Sequence, residues 1–172
     1  NRLMAYPSIQ TVENFKEFYK SLDIDYSKLS GWTTQDFSGE INGNGYTINN
    51  ITTAEGSNYQ GLFSTISGTI KNLSLNNVNI SNSTGECGAL CFMITGTVEN
   101  CYVSGTVNST SLKAGGLSGY LQGGTIKNCT SDANVTGTDY IGGLAGSVYG
   151  DSKLENCVTE GTIIGQECVG SL

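Results

Sequence analysis

"IKNC" at residues 126–129 and "LENC" at 154–157 continue a series that begins with "IKNL" at 70–73 and "VENC" at 98–101. Successive copies therefore start at a constant interval, and only the charged second position changes sign from one copy to the next. Short strand-forming runs separated by Gly, Asn and Asp fill the space between the copies. The copies start at residues 70, 98, 126 and 154, so the period is constant. A constant period between about 20 and 50 residues, in repeats without helices, predicts a solenoid in which each repeat forms one coil.

A second repeated word is glycine-rich and carries one leucine per repeat, at an interval that stays within one position of the same period. These leucines are Leu62, Leu90, Leu117, Leu144 and Leu172. We therefore expect an all-β fold, a right-handed parallel β-helix of about five coils over residues 37–172. Residues 1–36 are predicted to form a lead-in or cap, in which the apolar spacing of residues 8–22 favours a short helix.

Residues one period apart should stack at the spacing of paired strands, about 4.8 Å. Stacking predicts three ladders. The charged ladder is Lys71, Glu99, Lys127 and Glu155; the amide ladder is Asn72, Asn100, Asn128 and Asn156; the apolar ladder is Leu73, Cys101, Cys129 and Cys157. Alternating charges attract along the stack and oppose a slip of one coil, so the charged ladder is interpreted as register control. The amide ladder is interpreted as turn-stabilising in preference to a binding strip.

Glycines at 68, 96 and 124, two residues before each core position, are predicted to allow a tight corner.

The composition excludes several functional classes. The net charge is −7 and the chain has 24 Gly but no His. Nucleic-acid binding requires clustered Lys and Arg, so we expect no nucleic-acid partner. The apolar runs are too short for a membrane helix, so no membrane insertion is expected.

A position that accepts both Leu and Cys is predicted to be a buried apolar one, and the stacked cysteines are expected to be reduced and without metal. No cofactor is expected.

Two segments resemble the GLUG-type repeats of bacterial cell-surface proteins: "KAGGLSG" at 113–119 and "YIGGLAG" at 140–146. Each is followed at a fixed spacing by a copy of the first repeated motif, "IKNC" or "LENC", which is here called the "KNC" motif. "FSGEINGNGYTINNI" at 37–51 is similar to the segment that opens such arrays, and the resemblance covers roughly residues 10–172. It implies a parallel β-helix-like stalk or binding surface without catalytic residues. Such repeats occur in secreted or wall-anchored proteins, including adhesin-like proteins and non-catalytic parts of some immunoglobulin-cleaving metallopeptidases. An extracellular or cell-surface location is therefore expected.

The interpretation is a non-catalytic module that serves as a stalk, adhesion or ligand-display scaffold, with a host glycan or protein as its partner. The alternative is a carbohydrate-binding or carbohydrate-active β-helix that acts on polysaccharide. Without histidine a Ser-His or Cys-His nucleophile cannot form. The close acidic pairs are Asp23 with Asp25 and Asp36 with Glu40, and both are interpreted as structural acids.

Two other surfaces are candidates for binding. Exposed aromatic rings could stack on sugars, and the candidates are Trp32, Tyr59, Tyr120, Tyr140 and Tyr149. A threonine array could bind ice, but the column Thr106, Asn134 and Thr162 is interrupted.

The sequence stops at "VGSL", which reads as the start of a further repeat. We therefore expect the solenoid to be truncated at its C-terminus and to associate end to end.

Overall fold

The computed structural model describes residues 24–26, 33–53, 59–82 and 84–171. The helix predicted over residues 8–22 lies outside this part of the chain. The described chain is a parallel β-solenoid of about five turns, which confirms the predicted fold class. Every strand pair between neighbouring coils is parallel. The right-handed coil direction stays a prediction of the handedness rule.

Four parallel sheets form the faces of the solenoid, and each complete coil contributes to all four faces. Sheet 1 is formed by the strands that contain the "KNC" motif, together with β2. Its strands are β2 (Glu40–Asn42), β6 (Thr69–Lys71), β10 (Thr97–Glu99), β14 (Thr125–Lys127) and β18 (Lys153–Glu155). Sheet 2 contains β1 (Ile24–Asp25), β3 (Thr47–Asn49), β7 (Ser74–Asn82), β11 (Tyr102–Ser109), β15 (Thr130–Thr136), β19 (Val158–Thr159) and β20 (Ile163–Ile164). β1 belongs to the segment predicted as a lead-in, yet it pairs with β3 in sheet 2.

The glycine-rich word forms the other two faces. Sheet 3 contains β4 (Tyr59–Gln60), β8 (Glu86–Gly88), β12 (Ala114–Gly115), β16 (Ile141–Gly142) and β21 (Val169–Gly170). Sheet 4 contains β5 (Phe63–Ile66), β9 (Cys91–Ile94), β13 (Ser118–Gln122) and β17 (Ala145–Tyr149). From β2 onward the strands therefore follow the face order 1, 2, 3, 4, and the last described coil ends at sheet 3.

The core lies inside the coils and consists of stacked apolar columns. The "KNC" column of Ile41, Ile70, Val98 and Ile126 is fully buried, and the leucines at 62, 90, 117 and 144 are buried beside it. Leu172 lies outside the described residues. Alternate residues along a strand point to opposite faces, so the single apolar residue of "TIK" or "TVE" enters the core while its neighbours face outward.

The predicted tight corners have a different physical cause from the one expected. Gly68, Gly96 and Gly124 do not have positive φ angles. A Cβ atom at Gly96 would instead lie 2.0 Å from the carbonyl oxygen of Gly68, and one at Gly68 would lie 2.1 Å from that of Gly39. Glycine is needed here because successive coils approach closely.

Candidate functional site

The charged ladder lies on the outer surface of sheet 1. Glu99 is in register with both Lys71 and Lys127, and Lys127 is in register with Glu155. Lys127 Nζ lies 3.2 Å from Glu99 Oε1. Lys71 Nζ lies 2.6 Å from Glu40 Oε1, a partner that the sequence reasoning missed.

A hydrogen bond and charge attraction from Glu40, followed by the charge of Glu99, raise the pKa of Lys71. Glu40 was missed because the step from its coil to the next is one residue longer than the repeat period. Glu40 is therefore in register with Thr69, one residue beyond the position that the period predicts. It therefore reaches Lys71 diagonally, and the period of the repeated words did not reveal it.

The amide ladder turns the chain from sheet 1 into sheet 2. Each of its four asparagines has a positive φ, between 51° and 56°. Asn100 Nδ2 donates to Asn72 Oδ1 at 3.1 Å, and Asn156 Nδ2 donates to Asn128 Oδ1 at 3.3 Å. Asn42 extends the ladder by one coil, since it accepts from Asn72 Nδ2 at 3.0 Å. Asparagine supplies both the left-handed corner and an amide that bonds the next coil.

The two contributions of an asparagine corner can be separated at Asn100. Replacing Asn100 by glycine removes the amide but keeps the left-handed corner, and we expect it to lower the free energy of unfolding by less than about 1 kcal/mol. Replacing it by alanine should cost about 1 kcal/mol more, because a Cβ disfavours positive φ. Urea denaturation of both variants measures the difference. Equal stability of the two variants would show that the corner conformation does not matter.

The apolar ladder lies under this corner. Leu73, Cys101 and Cys129 are buried, whereas Cys157 is half-buried, so the prediction that all three cysteines are buried is wrong for Cys157. Cys157 lies in the last described coil, which has a neighbouring coil on one side only. The Cys101 thiol donates to the Glu99 carbonyl at 3.3 Å, and the Cys129 thiol donates to the Lys127 carbonyl at 3.2 Å. A hydrogen bond with the Cys101 thiol, together with burial, raises the pKa of Cys129.

The described members of the two close acidic pairs bond to neighbouring coils. Asp25 Oδ1 accepts from Asn50 Nδ2 at 3.0 Å. Asp36 Oδ1 accepts from the backbone N–H of Thr65 at 3.1 Å, and Glu40 pairs with Lys71. Asp23 lies outside the described residues. Within the described ranges, no group of three or more His, Cys, Asp or Glu side chains could hold a metal ion.

Sheet 2 presents a polar column that the sequence reasoning treated as interrupted. The column is Thr52, Asn79, Thr106, Asn134 and Thr162. Threonine and asparagine alternate along it, and Thr106 Oγ1 donates to Asn79 Oδ1 at 3.4 Å. The Thr162 N–H donates to Asn134 Oδ1 at 2.9 Å. The alternation lets hydroxyls and amides bond along the stack, so these side chains contribute to coil-to-coil pairing.

Aromatic side chains gather on sheet 3 and its border with sheet 4. The Tyr59 and Phe92 rings stack with centroids 4.1 Å apart, and Tyr59 remains 47% exposed. Lys113 Nζ lies 5.0 Å from the centroid of Tyr120 and 5.9 Å from that of Tyr140. Tyr149 is exposed at the end of β17, and Trp32 lies outside the described residues.

A groove of about 240 Å³ opens beside Tyr59. Its lining residues are Tyr59, Thr84, Gly85, Glu86, Ser111 and Leu112. At its edge Glu86 Oε1 and Lys113 Nζ are 2.6 Å apart. The arrangement offers an aromatic ring, hydroxyl groups and a carboxylate within one concave surface, a combination suited to binding a small polar ligand.

The family model of the GLUG motif matches residues 111–136 and 137–164. Each matched segment corresponds to one complete turn of the solenoid, from sheet 3 through sheets 4 and 1 to sheet 2. Of the resemblance expected over residues 10–172, this match confirms the part over residues 111–164. In the described part of the chain, no helix is long and apolar enough to span a membrane.

The fold is also similar to a crystal structure described as that of a "putative immunoglobulin A1 protease" from Bacteroides ovatus. The TM-score is 0.75 and the sequence identity is 24%, with 86% of this chain and 51% of that chain covered. This chain therefore spans about half the length of that protein, and at this identity the likeness shows the fold alone. None of the curated proteins compared with this chain matches it. This chain is therefore a β-solenoid in which two consecutive coils, residues 111–136 and 137–164, match the GLUG motif.

Proposed function

We propose that this chain is a non-catalytic module of a secreted or cell-surface protein, and that it displays a rigid surface for attachment to a host glycan or protein. The observation that carries the proposal is that the closely spaced acids of the described chain have structural contacts. A glycoside hydrolase needs two suitably spaced carboxylates. Asp25, Asp36 and Glu40, which come from the two close acidic pairs, each bond to the neighbouring coil. A carboxylate committed to such a contact is poorly placed to act as a general acid or base.

The regular solenoid is suited to displaying side chains to a binding partner. Its coils repeat in register, so outward side chains form fixed columns on flat faces. A rigid surface loses little conformational entropy on binding, and a row of repeated contacts can bind an extended partner. The GLUG motif and the fold shared with the Bacteroides ovatus protein support a location outside the cell.

The proposal is tested by measuring attachment and turnover with the same protein. The fluorescently labelled full chain is applied to immobilised mucin, to mucin stripped of its glycans, and to albumin as a control surface. We expect saturable retention on at least one mucin surface, and no release of reducing ends or peptides from soluble polysaccharide or mucin. Turnover that disappears in the Glu40→Gln variant would overturn the proposal, and so would retention no greater than on albumin.

A further inference from the structure

The groove beside Tyr59 has walls that are fixed from beneath by two buried polar side chains. Asn82 is 1% exposed, and its Oδ1 accepts from the backbone N–H groups of Thr84 at 3.1 Å and Gly85 at 3.2 Å. Ser109 is 3% exposed, and its hydroxyl donates to the Gly85 carbonyl at 3.2 Å.

The same Ser109 oxygen accepts from the N–H of Ser111 at 3.2 Å. Ser109 therefore joins the two loops that face each other across the groove. Bonds of this kind, from a side chain to backbone N–H groups two or three residues further on, stabilise turns, and here they support both loops beside the groove. The walls of the groove are therefore held in place, and a ligand bound between them would lose little free energy in ordering them.

The aromatic wall is held in the same manner. Phe92 stacks against Tyr59 at an interplanar angle of 26°, which fixes the orientation of the tyrosine ring. Tyr59 keeps about half of its surface accessible, and Leu112 on the same groove is 51% exposed. One flat apolar wall thus faces a groove whose remaining lining includes the Thr84 and Ser111 hydroxyls and the Glu86 carboxylate.

The charges define which ligand fits. Glu86 and Lys113 neutralise each other at 2.6 Å, and the whole chain carries a net charge of −7. An anionic ligand would meet the field of an acidic protein, and the cation beside the groove, Lys113, is already paired with Glu86, so such a ligand is disfavoured. A purely apolar ligand would cover the carboxylate without bonding to it, which costs free energy. A neutral ring with one apolar face and hydroxyl groups at its edge satisfies both conditions.

We propose that this groove binds a neutral sugar residue of a glycan, with the apolar face of the sugar against Tyr59 and its hydroxyls bonded to Glu86, Thr84 and Ser111. This assignment rests on the proposed attachment function and names its ligand class.

The glycan would continue along sheet 3. Tyr59 is in register with Glu86, and Lys113 and Tyr140 occupy the same column in the next two coils. Tyr140 is 44% exposed. Three coil steps place it about 14 Å from Tyr59, within the span of a short oligosaccharide.

The test is affinity electrophoresis of the full chain in gels that contain one neutral polysaccharide each (glucan, mannan, galactan, xylan or arabinan), with polygalacturonate as the anionic comparison. We expect retardation by at least one neutral polysaccharide, and at least a tenfold weaker affinity for it in Tyr59→Ala. Tyr149→Ala, which removes a tyrosine that is 65% exposed on another part of the surface, should bind like the unchanged chain. Tyr59→Phe should also retain binding, because it keeps the ring.

A second variant avoids dependence on the folding of Tyr59→Ala. Thr84→Trp adds an indole at an exposed position on the groove and should block binding while the melting temperature stays unchanged. Retardation by polygalacturonate alone, or by none of the neutral polysaccharides, would overturn the sugar assignment, and so would undiminished binding of both groove variants. Retention on glycan-stripped mucin together with any of these results would leave the attachment function standing and refute only the glycan site.

Discussion

Replacing Gly96 by alanine is expected to lower the free energy of unfolding by about 3 kcal/mol or more, and to yield little soluble protein. An alanine Cβ at this position would lie 2.0 Å from the Gly68 carbonyl oxygen and 2.6 Å from that of Ser67. Both neighbours are backbone atoms, which cannot rotate away as a side chain would. The two coils must therefore move apart at this corner between sheets 4 and 1, and the parallel hydrogen bonds beside it would weaken.

The matched control for this substitution is Gly123→Ala. Gly123 has a φ of 69°, but no heavy atom lies within 4 Å of the added Cβ. Its replacement should cost only about 1 kcal/mol, from the left-handed backbone. Urea denaturation followed by circular dichroism compares the two variants. A Gly96→Ala protein that is as stable as Gly123→Ala would show that close coil approach does not determine the corner.

Replacing Ile126 by alanine is the second substitution for which we expect a large effect, a loss of about 2–5 kcal/mol. Ile126 is fully buried in β14, between Val98 of the preceding coil and Leu154 of the following coil. Truncation leaves a cavity in the middle of the stack, where coils on both sides restrict collapse. Because each coil is stabilised by its neighbours, the damage should spread to the pairing of β14 with β10 and β18.

Ile164→Ala is the control for this prediction. Ile164 lies in β20 and is 57% exposed, so its truncation should change the free energy of unfolding by less than about 0.5 kcal/mol. The two variants remove the same atoms from the same residue type. Hydrogen exchange would locate the effect: amides of β10, β14 and β18 should exchange faster in Ile126→Ala. Similar losses in both variants would contradict the assignment of the "KNC" column as the core.

The repeated words were enough to predict the architecture because stacking converts a period into a contact. A residue one period away lies on the adjacent coil, so Glu99 is in register with Lys127 in the sequence pattern and in the structure alike. The same reasoning missed Glu40, whose coil contains one additional residue. It also missed the alternating column at Asn79 and Thr106, whose shorter step follows a bulge in β7. A single inserted residue between two copies of a repeated motif changes the register and leaves the motifs themselves unchanged.

The groove could not be predicted in the same way. The separation of Tyr59 and Phe92 along the chain is unrelated to the period, and their rings meet only because the chain turns from sheet 3 to sheet 4. Asn82 and Ser109 read in the sequence as ordinary surface residues of an Asn- and Ser-rich chain. Their burial beneath two loops emerges only when those loops lie side by side.

The sequence by itself determined the β-solenoid and the stacking partners within the repeated words. These features depend on periodicity and charge, which the chain carries locally in each repeat. The tertiary structure decided why the corners require glycine, which acids hold the coils together, and where a ligand-sized groove opens. These depend on distances between atoms of different coils, and such distances are set by insertions and loop packing that no single repeat encodes.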